Sequence, residues 1–80
     1  MSTFNEYMQN NIALKIRKLR ISRGYTQEEL SYLLNKNMKY IGHIERCERQ
    51  ISNIGLCEIM EFFKIQPKDF YSFDKNYEWS

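Results

Sequence analysis

Residues 24–46, GYTQEELSYLLNKNMKYIGHIER, decide how the whole chain folds. Within them Thr26 and Glu29 have the spacing of a reciprocal cap. The threonine hydroxyl accepts from the Glu29 backbone N–H, and the Glu29 carboxylate reaches back to the N–H of Thr26. A helix begins here, with Leu30, Leu33 and Leu34 on its apolar face. Asn35, Lys36 and Asn37 then break the pattern where a short turn fits. Asn37 can cap a further helix whose Ile41 and Ile44 point inward, which leaves Met38, Lys39, Tyr40 and His43 on its outward side.

Working outward, Ile12, Ile16 and Leu19 recur at helical steps with Lys15, Arg17, Lys18 and Arg20 between them, so an amphipathic helix precedes the central pair. It stops at Gly24, where the missing Cβ permits the left-handed backbone that closes a helix. Phe4, Tyr7 and Met8 continue the same face upstream, and Thr3 with Glu6 can cap an extension. Downstream, Ser52 caps a helix from Asn53 to Phe63 with Leu56, Ile59, Met60 and Phe63 as its buried stripe. Pro67 opens a short fifth helix, with Phe70 and Phe73 facing inward. The expected organisation is all-α: residues 1–10 a helical extension or arm, 11–73 a compact five-helix bundle, and 74–80 a short aromatic tail carrying Tyr77 and Trp79.

Eighty residues form one domain, too small to enclose a large substrate pocket. No apolar run approaches the ~20 residues that span a bilayer, and the first residues lack the layout of a secretion signal. A cytoplasmic protein with no membrane partner is expected. Residues 1–50 carry nine Lys/Arg against five Glu, whereas the last thirty carry three Lys against five acids. A basic first half suits a surface that faces phosphates, although helices also carry solvated basic faces for solubility alone. With one His, no Gly-rich phosphate loop and no Ser/His/Asp arrangement, enzymatic chemistry and a cofactor are not expected. His43, Cys47 and Cys57 are one ligand short of a structural zinc and lack paired spacing, so no metal site is expected either.

In order and spacing, residues 12–70 resemble the Cro/C1-type (XRE-like) helix-turn-helix domain of phage repressors and related bacterial regulators. The resemblance rests on Ile16 to Arg20, Gly24 to Leu30, Ile41 with Ile44 to Arg46, and then Leu56, Ile59, Phe63, Ile65 and Phe70. It implies a lambda-repressor-like bundle that regulates transcription, acting as a repressor, by laying its third helix (about 38–46) in the major groove of double-stranded DNA, as a homodimer on a palindromic operator. Met38, Lys39, Tyr40 and His43 would then read bases, with Lys39 donating to guanine and Met38 lying against a thymine methyl. Gln27, Asn37, Arg46, Arg49 and Gln50 would contact phosphate or sugar. Arg20 and Glu45 stand where relatives pair, which implies a partly buried ion pair fixing the third helix against the first. Taken singly, Lys39 also reads as a solvated charge, and Met38 and Tyr40 as residues on the surface or packed against a neighbouring helix.

The sequence departs from the family pattern at Ser31, Asn35, Lys36, Gly42, Cys47 and Ile51. Asn35 suits a left-handed turn almost as well as glycine. Gly42 softens the third helix unless close packing needs the gap. Cys47 stands where glycine usually closes that helix, so it either holds a strained conformation or lengthens the helix; Cys57 reads as a small buried residue. Either the N-terminal extension or the 74–80 tail could make the dimer. The alternative function is a protein-binding module of the same fold, an antitoxin or adaptor, with Met38, Tyr40, Leu33, Tyr77 and Trp79 as anchors for a protein partner.

Overall fold

The computed structural model describes residues 3–73, which form five helices: α1 (Phe4–Ser22), α2 (Gln27–Leu33), α3 (Tyr40–Glu45), α4 (Asn53–Phe63) and α5 (Pro67–Phe70). Three of them start on side-chain caps. Thr3 and Glu6 form a capping box on α1, with the Glu6 N–H donating to Thr3 Oγ1 (3.1 Å) and the Thr3 N–H to Glu6 Oε1 (2.9 Å). The first helical turns are therefore continuous with α1. Thr26 and Glu29 repeat the device on α2 at 3.0 and 2.8 Å. On α4, Ser52 Oγ accepts from the Gly55 N–H at 3.0 Å. Each cap satisfies donors that the first helical turn leaves without an intrahelical partner.

The helix ends share a second device. After α1, α2, α3 and α4 the chain passes through a left-handed residue, respectively Gly24 (φ 77°), Asn35 (60°), Cys47 (59°) and Lys64 (57°). At each, the following N–H closes back across the last turn: Tyr25 to the Arg20 carbonyl, Lys36 to Ser31, Glu48 to His43 and Ile65 to Met60. These are Schellman closures. Only the first uses glycine; Cys47 and Lys64 each carry a Cβ into the left-handed region at a cost of about 1 kcal/mol, which Asn35 largely avoids. For Cys47 this selects the strained conformation over a longer helix.

The core gathers Ile12 and Ile16 of α1, Leu30 of α2, Tyr40, Ile41 and Ile44 of α3, Leu56, Ile59 and Phe63 of α4, Ile51, and Phe70 of α5. Leu19, Leu34, Met60, Ile65 and Phe73 pack around it. α1 and α4 are tied at their ends by Arg23, whose guanidinium donates to the Phe63 carbonyl (3.1 Å) and lies 5.4 Å from the Phe63 ring.

Two expectations are corrected. Leu33 is exposed, because Leu30 and Leu34 already fill the contact that α2 makes. Cys57 is exposed rather than a small buried residue, since it lies off the Leu56–Ile59–Met60–Phe63 stripe of α4. The tail with Tyr77 and Trp79 lies outside the described residues. Among the described residues, no helix is long and apolar enough to cross a membrane, and no three His, Cys, Asp or Glu side chains cluster as metal ligands would.

Candidate nucleic-acid interface

α2 and α3 are joined by residues 34–39, and two polar ties set their mutual angle. Ser31, wholly buried, donates through Oγ to the Gln27 carbonyl (2.8 Å) and accepts from the Ile41 N–H (3.0 Å), so one hydroxyl bridges the two helices. The Asn37 side chain accepts from the Lys39 N–H at 2.9 Å and shapes the turn entering α3. The helix itself starts three residues after Asn37, with Lys39 as its N-cap residue and no side-chain cap. Asn37 thus caps the preceding turn rather than α3.

Beneath α3 lies a buried polar knot. The Glu45 side chain is only 2% exposed and accepts from Arg20 Nε (2.7 Å), Arg20 Nη2 (3.0 Å) and Gln27 Nε2 (3.0 Å), with Arg17 Nη1 at 3.8 Å. The third guanidinium nitrogen of Arg20 donates to the Tyr25 carbonyl at 2.8 Å. Arg20 and Glu45 therefore tie α1 to α3 through a two-pronged ion pair, and every charged oxygen and nitrogen in it has a partner, the condition under which a buried pair is tolerated.

The outer surface of α3 faces an open groove lined by Thr26, Gln27 and Glu28 at the start of α2 and by Met38, Lys39, Gly42, His43 and Arg46. Met38 and Lys39 are exposed and His43 is half-buried on this side. Gly42 is buried, and the reason is visible. A Cβ there would stand 2.9 Å from Gln27 Oε1 and 3.0 Å from Arg46 Nη1. The notch left by the missing side chain is occupied by these two side chains folding across α3. The gap anticipated at Gly42 serves internal packing.

Two candidate side chains are placed otherwise than the sequence suggested. Tyr40 is not on the outward side: it is 7% exposed and belongs to the core. Its hydroxyl reaches to 2.7 Å from where a Cβ of Gly55 would stand, and Lys36 Nζ and Arg49 lie 5.5 and 5.2 Å from its ring. Burial raises its hydroxyl pKa above the ordinary tyrosine value, against the lowering influence of Lys36 and Arg49. Tyr40 therefore supports the site from beneath, sitting four residues before Ile44 on the same helical face. Gln27 directs its amide nitrogen inward to Glu45. Arg46, Arg49 and Gln50 are all exposed beyond the end of α3.

Sequence reasoning passed over Glu48. It lies in the Schellman closure after Cys47, and its carboxylate meets Arg46 Nε at 3.3 Å and His43 Nε2 at 4.0 Å. An acid two residues after an arginine in a loop gives no periodic signal, so the pairing comes only from the chain reversal at Cys47.

A capped α2, a tight turn and a short α3 locked onto α1 and presenting a polar groove are the parts of a helix-turn-helix unit. Residues 16–70 match the family described as Helix-turn-helix. The chain belongs to that family. It is a Cro/C1-type, XRE-like domain. Control protein C.BamHI of Bacillus amyloliquefaciens is 35% identical over 71 residues, which span 82% of this chain and 88% of that protein. Among solved structures, wild-type restriction-modification controller protein C.Esp1396I superposes with a TM-score of 0.70 at 32% identity, covering 79% of this chain and 81% of that one. Controller protein C.AhdI from Aeromonas hydrophila gives 0.70 at 25% identity, covering 79% and 96%. The nucleoprotein complex of C.Esp1396I matches at 0.67 with 32% identity, covering 79% and 82%.

Proposed function

We propose that this chain is a sequence-specific, double-stranded-DNA-binding transcriptional regulator that sits with α3 in the major groove as a homodimer on a palindromic operator and represses from it. By likeness to control protein C.BamHI and the controller proteins C.Esp1396I and C.AhdI, the genes under its control are those of a restriction-modification system. The observation that carries this reading is the groove of Met38, Lys39, His43 and Arg46, held in place by the buried Arg20–Glu45 pair. Met38, Lys39 and His43 read base edges, with Lys39 donating to guanine and the Met38 thioether against a thymine methyl. Tyr40 leaves the reading set because it is buried. Arg46, Arg49, Gln50 and Asn37 contact phosphate or sugar, and at Gln27 that contact falls to the backbone N–H, since the amide nitrogen is held by Glu45. Residues 11–73 carry this function, with residues 3–10 lengthening α1. Its work is recognition in the cytoplasm, without catalysis or a cofactor.

The test is selection of bound duplexes from a random pool at moderate salt, followed by a salt titration on the winner. A palindrome with half-sites about one helical turn apart is expected, with affinity falling steeply as salt rises. Recovery of unselected DNA, or a flat salt response, overturns the reading.

One observation favours an additional protein contact. Tyr32 (77% exposed) and Met38 (58%) border a shallow apolar groove with Glu28, Glu29 and Lys36 on the α2 side of the interface. A partner held there through apolar contact would bind with little salt dependence, unlike DNA.

A further inference from the structure

The carboxylate of Glu48 stands among the basic side chains at the end of α3, and a DNA-binding face gains nothing obvious from an acid there. Its position is not accidental wandering of a loop. The left-handed Cys47 turns the chain back, and the Glu48 N–H donates to the His43 carbonyl at 2.8 Å. The side chain is thereby delivered beside α3, with Arg46 Nε 3.3 Å from one oxygen and His43 Nε2 4.0 Å from the other. Both basic partners also line the groove with Met38 and Lys39. The guanidinium of Arg46 is folded back over Gly42 rather than extended, since a Cβ on Gly42 would stand 3.0 and 3.2 Å from its two terminal nitrogens. The arrangement resembles a phosphate contact in which the chain supplies the anion itself.

Resting on the DNA-binding reading, we infer that Glu48 is a specificity-determining residue: it holds Arg46 as an internal substitute for phosphate and so weakens binding to non-operator DNA. The ion pair is half-exposed, so separating it costs little by itself. The larger effect is the competition for Arg46. On random duplex, affinity comes almost wholly from phosphate contacts, and a carboxylate that neutralises Arg46 takes one of them away. On the operator, base contacts from Met38 and Lys39 fix the depth of α3, and Arg46 can bridge Glu48 and a phosphate, so the penalty is smaller. Discrimination rises because the wrong complex is weakened more than the right one.

The experiment measures binding of the full chain and of Glu48→Gln to operator and random duplex over a range of salt. Glu48→Gln should tighten random-duplex binding about fivefold and operator binding no more than about twofold, with the random-duplex salt slope steeper by about one phosphate contact. Glu61→Gln, which removes the same charge from the exposed side of α4, should leave the slope unchanged. In an Arg46→Gln background the gain from Glu48→Gln should largely vanish. Equal tightening on both duplexes, an unchanged slope, or a gain that survives Arg46→Gln overturns the inference while leaving the DNA reading intact. Failure of the unaltered chain to bind duplex in a salt-dependent way overturns both.

Discussion

α3 carries charged groups at two depths, and they behave as opposites although both are arginine–glutamate pairs. Beneath the helix, Glu45 is buried and holds Arg20 at 2.7 Å with Gln27 as a third partner. At its end, Glu48 is half-exposed and meets Arg46 at 3.3 Å. In the buried pair each charge has lost its water and depends on its partner, so the geometry is rigid and the pair sets where α3 lies. In the exposed pair water compensates either charge, so partners can be exchanged for phosphate at little cost. Structure is fixed by the first and ligand exchange permitted by the second, and the depth of the carboxylate decides which.

The comparison breaks most easily at Glu45. Glu45→Ala leaves Arg20 buried without its carboxylate and should cost about 3–5 kcal/mol, lowering Tm by more than about 12 °C. Replacing both partners, as in Arg20→Met with Glu45→Leu, should cost less than the single change. A double variant that melts below Glu45→Ala would mean the ion pair contributes more than geometry. Next in size is Ser31→Ala, which removes the hydroxyl joining the Gln27 carbonyl to the Ile41 N–H and should cost about 1–2 kcal/mol by chemical denaturation. Cys47→Gly relieves the left-handed strain after α3 and should raise Tm by about 4–8 °C, corresponding to about 1 kcal/mol. Smallest for stability is Arg46→Ala, within about 0.5 kcal/mol, yet its duplex affinity at low salt should fall and its salt slope decrease by about one contact. A large loss of stability from Arg46→Ala would erase the contrast between the two pairs.

Tyr40 adds a pH arm. Because burial raises its folded pKa above the unfolded value near 10.0, the phenol remains neutral where exposed tyrosines ionise. Its contribution to stability is fully present below the unfolded pKa and is lost as pH rises through the folded one. Tyrosinate absorbance on an alkaline titration should show this phenol ionising after exposed tyrosines, and Tyr40→Phe should remove that late step.

Much of the fold was legible because helix starts and stops are local. Thr3, Thr26 and Ser52 cap through atoms at most three residues away, and Gly24 and Asn35 close helices through their own backbone preference. The candidate site was legible only in part. Tyr40 lies one residue before Ile41 and four before Ile44, and a six-residue helix makes fewer than two turns, so its sequence alone does not say which flank is covered. The packing of α3 against α4 at Gly55 decides it, because there the missing side chain leaves space for the phenol. Gln27 was legible as a polar residue at a helix start, but the inward turn of its amide depends on Glu45, eighteen residues away.

The sequence by itself determined five helices, the caps at Thr3, Thr26 and Ser52, the closures at Gly24 and Asn35, and the family, since hydrogen bonds within a turn and the 3.6-residue period act over neighbouring residues whatever surrounds them. Only the tertiary structure decided that Tyr40 is core, that Gly42 is a notch for Gln27 and Arg46, and that Glu48 rather than open water faces Arg46. Those outcomes depend on which surfaces are desolvated and which charges meet once the helices close on each other, and no local pattern contains that information.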